Sequence, residues 1–182
     1  MATLGITDTN KTVRVRDIIA GQYRDLNKIH EARDAQIKAL KEKSGDDKAA
    51  TNATIEVVQG EARRKLDQLH PAFLKRLSGE LASEEVDKVK DGLTYRVLPL
   101  TYGVYLKMYP GLTESQKLQI KMFLTEAREL AMDGSTSDEK HAAFGKYKGK
   151  INNYLSKAGY DAKTAEQNLK RAAQPTSDSK IK

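Results

Sequence analysis

One long apolar stripe at the start of the chain constrains its fold most. Val15, Ile18, Ile19, Leu26, Ile29, Ile37 and Leu40 recur at helical spacing and share one face. The helix they predict begins where Thr7 or Asp8 caps the amides of the first turn. It stops near Ser44-Gly45, where glycine takes a left-handed conformation without strain. A stripe of that length needs a partner. After a loop at 46–52, Ile55, Val58, Ala62, Leu66, Leu69, Phe73 and Leu77 supply one. A helical hairpin joined by a short loop is the simplest way to bury both. Pro71 lies inside the second stripe. It lacks an amide hydrogen and crowds the preceding turn, which predicts a kink or a restart at His70-Pro71.

Beyond the hairpin the signals shorten. Residues 83–90 suit a short helix. The segment 91–111 carries Pro99, Gly103, Pro110 and four tyrosines, and predicts a helix opened by Pro99 and closed before Pro110, with a strand as the alternative. Thr113 and Gln116 have the spacing of a reciprocal cap, and Leu118, Met122, Phe123, Leu130 and Met132 supply apolar side chains to the helix that follows. A turn at 133–136 leads to a helix capped by Ser137, which runs through Phe144, Tyr147, Ile151 and Leu155 to Gly159. A last helix spans 162–173. Hydrophobic residues make up 38% and charged residues 31%, enough apolar material to close a core. The expected fold is all-α: a helical bundle with a long N-terminal hairpin followed by three or four shorter helices. It forms a single domain over 1–174, with a flexible polar tail at 175–182.

Several activities can be argued down. The chain has no cysteine, which excludes disulfides, thiol nucleophiles and thiolate metal sites. No apolar run approaches the roughly 20 residues that span a bilayer. No basic segment followed by an apolar stretch opens the sequence, so no signal peptide is expected in it. No phosphate loop, dinucleotide fingerprint or serine elbow is present, and no cofactor is expected. The net charge of +7 suits nucleic acid, an anionic membrane or an acidic polysaccharide, and equally an ordinary basic surface.

Two regions carry candidate chemistry. On the first helix, His30 and Asp34 share a face, with Tyr23 and Arg16 along the same edge and Arg33 within the apolar stripe. This is either a polar pocket, with His30 as base or ligand, or a hydrogen-bond network that sets helix register. His30-Glu31 opens like a zinc-protease motif, but Asp34 stands where the second histidine belongs. No metal site is expected. The second region runs from Lys140 to Tyr160, with five lysines and no acid. Lys146, Lys150 and Lys157 form one stripe, while Gly145 and Gly149 lie on another side near Asn152 and Ser156. Phe144, Tyr147, Ile151 and Tyr154 point away from the lysines. Base stacking would want rings and cations together, so nucleic acid is disfavoured. Tyr102, Tyr105 and Tyr109 have the spacing of a helix face and read as core, with sugar stacking as the alternative.

Two blocks carry a resemblance. They are Leu4-Gly5-Ile6-Thr7-Asp8 with Val15-Arg16-Asp17-Ile18-Ile19 and Ile29-His30-Glu31-Ala32-Arg33-Asp34, and the stretch from His141 to Leu155. Together they resemble a family of secreted bacterial helical proteins of unknown function, catalogued as sugar-binding. The resemblance covers most of the chain and implies export to the periplasm or cell exterior, with the cytoplasm as the alternative. It brings no catalytic residues. The Leu-Gly-Ile-Thr-Asp start and Leu112-Thr113-x-x-Gln116 also resemble Spy-type periplasmic chaperones. The expectation is a non-enzymatic exported binding protein whose ligand is a carbohydrate, acidic sugars included. Its expected site joins Tyr23, His30 and Asp34 to Tyr147, Lys148, Asn152 and Asn153. The alternatives are a chaperone or scaffold that binds polypeptides, recognisable by an exposed apolar face, and a polysaccharide-acting enzyme, recognisable by two carboxyl groups about 5–10 Å apart.

Overall fold

The computed structural model describes residues 4–43 and 47–173. The helix stop expected at Ser44-Gly45 and the tail from Pro175 lie outside the described residues. Seven helices occur among these residues: α1 (Thr9–Lys43), α2 (Lys48–Ser78), α3 (Ser83–Leu93), α4 (Val97–Met108), α5 (Glu114–Met132), α6 (Ser137–Lys157) and α7 (Ala162–Ala173). No strand occurs among them, and none of these helices is long and apolar enough to cross a membrane. By their contacts the residues divide into two compact units. One is Met1–Val89 with Asp133–Thr136; the other is Lys90–Met132 with Ser137–Lys182. The division runs inside α3.

The first unit is the predicted hairpin. At 35 residues α1 is about 52 Å long, and it packs on α2. Asp8 accepts from the amides of Asn10 and Lys11 at 2.8 and 3.1 Å, and these bonds hold its carboxyl below the usual range. Val15 and Leu26 of α1 are buried, as are Ala62, Leu66, Phe73 and Leu77 of α2. Asp47 caps α2 by accepting from Ala50 at 3.0 Å, so the helix starts several residues before the expected loop ends. The restart expected at Pro71 does not occur, because α2 runs through it unbroken. Pro71 is exposed, so the carbonyl it leaves without an amide partner is solvated at little cost. Arg14 grips Glu80 with two bonds of 2.8 and 2.9 Å, and Glu80 titrates lower for it.

The second unit is built on α5 against α6, with α4 packed on α5 and on α7. The facing stripes have the same rhythm. Ile120, Leu124, Ala127 and Ala131 of α5 meet Phe144, Tyr147, Ile151 and Leu155 of α6 in one buried cluster. The sequence reading of α5 needs correction here. Leu118 and Met122 are 60% and 49% exposed, and two alanines do the packing instead. Thr113 and Gln116 form the reciprocal cap, with the Thr113 amide donating to Gln116 Oε1 at 2.9 Å and the Gln116 amide to Thr113 Oγ1 at 3.3 Å. The tyrosine-rich segment is helical, and Tyr105 and Tyr109 are core.

Candidate functional site

The residues singled out in sequence fall into both units. Tyr23, His30 and Asp34 belong to the first; Tyr147, Lys148, Asn152 and Asn153 belong to the second. Tyr23 is exposed, and Asp34 pairs with Arg33 at 2.7 Å. His30 is buried. Its Nε2–H donates to the Asp133 carbonyl oxygen at 2.7 Å, while its Nδ1 is buried without a hydrogen-bond partner. His70 meets the Asp133 carboxylate at 2.9 Å. Two histidines from α1 and α2 thus hold one residue of the segment 133–136. No group of three ligating side chains able to hold a metal ion occurs among the described residues. Tyr147 lies in the core, with Lys150 Nζ 4.1 Å from its ring centre. Asn152 accepts from the Tyr105 hydroxyl at 2.9 Å, and Lys148 and Asn153 are exposed. Burial, with Tyr109 adding to it, pushes the Tyr105 hydroxyl up to about 12.

The second unit has a feature that the sequence did not announce. α3 ends at Leu93 and α4 begins at Val97, so one helix is closed and the next opened within three residues. Thr94 is fully buried, with its hydroxyl donating to the Lys90 carbonyl at 2.8 Å. The Arg96 amide reaches back to the Asp91 carbonyl at 2.7 Å, the six-to-one bond of a Schellman closure. That closure needs a left-handed residue. Here Tyr95 has φ 56° and Arg96 φ 57°, the only non-glycine residues with positive φ among those described. The nearest glycine, Gly92, lies too early to serve. Each such residue costs on the order of 1–2 kcal/mol, so something must hold the corner.

Buried charge holds it. Arg128 is buried and donates to Asp91 at 2.8 Å, and Lys90 bonds both oxygens of Glu129 at 3.0 and 3.1 Å. Lys140 donates to the Leu93 carbonyl at 2.9 Å, a cation on the last carbonyl of α3, and burial holds its pKa below the ordinary lysine range. On this base the Tyr95 ring stacks over His141, with centroids 5.6 Å apart and planes 16° from parallel, and Lys140 Nζ lies 5.8 Å from its centre. More than half of Tyr95 (53%) stays in solvent. Nδ1 of His141 donates to the Ser137 carbonyl at 2.7 Å, so Nε2 is the polar atom left for a ligand. Arg96 is exposed and forms no ion pair among the described residues.

The exposed Tyr95 ring over His141 can stack on an apolar ring face, and the guanidinium of Arg96, next in the chain, can bind a carboxylate. Sequence could only have narrowed the place of this corner: Val86, Val89 and Leu93 continue one stripe past Gly92, which leaves residues 94–98 for a turn before Pro99. The model of the protein family of unknown function DUF3826 matches residues 1–174, so the chain belongs to that family. No curated protein matches the sequence.

Proposed function

We propose that this DUF3826 protein is a non-enzymatic binding protein for an acidic carbohydrate, received at Tyr95, Arg96 and His141. Export, implied by the sequence resemblance, belongs to the same reading. One observation carries it. A helix end that glycine would make without strain is made by tyrosine and arginine, and the ring so displayed is 53% exposed. Strain of this kind clusters at ligand-binding and switch sites. The ring offers a face for a sugar's C–H surface, and Arg96 offers a fork that matches a uronate carboxylate. An enzymatic reading lacks this support. The carboxyl groups displaced in titration (Asp8, Glu80, Asp161 and Glu166) all move downward, so none of these four is poised as a general acid.

The test is thermal stabilisation against neutral and uronate oligosaccharides. A ligand at a hundred times its Kd adds about 2.7 kcal/mol. The expected result is a saturable shift with uronates that Tyr95→Ala abolishes. A shift that survives both Tyr95→Ala and Arg96→Ala overturns the site, and no shift with any sugar overturns the function. Leu118 and Met122, which line a shallow depression of about 400 Å³ on α5, favour polypeptide binding as the second reading. Suppressed aggregation of an unfolded client that is lost in Met122→Lys would support it.

A further inference from the structure

α6 presents two different faces. Inward it gives Phe144, Tyr147, Ile151 and Leu155 to the core. Outward, at 3.6 residues per turn, Ala142, Gly145, Gly149, Asn152 and Ser156 fall along one line. All five are exposed, and a Cβ added at either glycine would meet nothing within 4 Å. Lys146, Lys150 and Lys157 flank this line on one side, with Lys148 on the other. None of the four forms an ion pair among the described residues, and no acid occurs between Lys140 and Tyr160. Carboxylates appear only in the first turn, as Asp138 and Glu139, where they complement the helix dipole. Unpaired ammonium groups therefore border a smooth polar floor, and from Lys146 to Lys157 they cover about 16 Å of helix.

We infer that the outer face of α6 is a track for a linear anionic polysaccharide, an inference that rests on the acidic-carbohydrate reading and extends it from one sugar to a chain. Charge complementarity selects a polyanion. The lack of exposed rings on this face selects against a single strand with free bases, and the acidic-carbohydrate reading selects the polysaccharide among the polyanions that remain. Tyr147 is buried under Lys150, and Phe144 is buried in the core, so nothing here stacks a nucleobase. His141, under the Tyr95 ring, sits at the start of the same helix, so the track begins beside the corner. Side chains of glycine, alanine, asparagine and serine leave the chain room to lie close to the helix backbone.

The test uses oligogalacturonates of three and of ten residues, with a duplex DNA of matched charge as competitor. The protein is compared with a triple variant, Lys146→Gln, Lys148→Gln and Lys157→Gln. Lys150 is kept because it covers Tyr147, and an unchanged melting temperature certifies the fold. The decamer is expected to bind at least tenfold more tightly than the trimer. The triple variant should bring it to the trimer's affinity, reduce the salt dependence of decamer binding and leave the trimer unaffected. A decamer affinity unmoved by the three substitutions overturns the track while leaving the corner standing. Tyr95→Ala that loses nothing, while the lysine variant loses decamer affinity, overturns the corner and supports the track. A duplex that binds the lysines as tightly as the decamer overturns the choice of polysaccharide.

Discussion

Replacing Tyr95 by glycine and by alanine separates the backbone of the corner from the ring it carries. Both substitutions remove the stack on His141, so that loss cancels in their comparison. What remains is the conformation. At φ 56° alanine keeps its Cβ against the following carbonyl oxygen, at a cost of about 1–2 kcal/mol, and glycine does not. Against this, glycine carries about 0.4–1 kcal/mol of additional chain entropy in the unfolded state. The net expectation is that Tyr95→Gly is the more stable variant by about 0.5–1 kcal/mol, an inversion of the usual order. At a urea slope of about 2 kcal/mol/M this is about 0.3–0.5 M in midpoint, readily measured by circular dichroism. Tyr95→Phe keeps the ring and should fold like the parent. Tyr95→Ala matching or exceeding Tyr95→Gly in stability would refute the strained corner, and with it the ground for assigning display of the ring a purpose. Sugar binding should be lost equally in both, because it depends on the ring and not on the strain.

Other outcomes follow from the same geometry. The folded pKa of Tyr105, pushed up to about 12 by burial, lies above its ordinary value of 10, so its contribution is present below pH 10 and is lost between 10 and 12. A gap of two pH units corresponds to about 2–3 kcal/mol, so Tyr105→Phe should flatten the alkaline fall in stability, and a fall of unchanged steepness would contradict the assignment. Lys140 titrates in the opposite sense, its burial cost fading as pH rises toward 10.5, so the difference between parent and Tyr105→Phe is the quantity to follow. His30→Ala removes the donor to the Asp133 carbonyl and opens a hole in the hairpin, at an expected cost of about 2–4 kcal/mol by denaturant unfolding. Asp91→Ala leaves buried Arg128 without its closest carboxylate and should cost about 2–3 kcal/mol, with accelerated amide exchange at 94–97.

The hairpin was legible because its stripes are long and made of large aliphatic residues. The Thr113–Gln116 cap was legible because it is local. α5 was misread because its packing stripe is carried by Ala127 and Ala131, while its larger Leu118 and Met122 face solvent. No restart occurs at Pro71, because losing one bond on an exposed face does not break a helix clamped along its inner side by Leu66, Phe73 and Leu77. Of the two readings of His30, the buried hydrogen-bond network is the one found, but its partner is 103 residues away, and spacing along one helix cannot name it. The inward turn of Tyr147 followed from periodicity, and so did the outward turn of Lys146, Lys148, Lys150 and Lys157, whereas Lys140 turns in to meet the Leu93 carbonyl. The left-handed Tyr95 and Arg96 left no compositional mark, because residue type opposes the conformation that the Schellman closure of α3 imposes.

The most direct measurement is a chemical-shift map of the protein titrated with a galacturonate trimer. Perturbations centred on Tyr95, Arg96 and His141, saturating together and absent in Tyr95→Gly, are the predicted result. Saturable perturbations centred elsewhere, on Tyr23 and Asp34 or on Leu118 and Met122, with the corner unmoved, would contradict it.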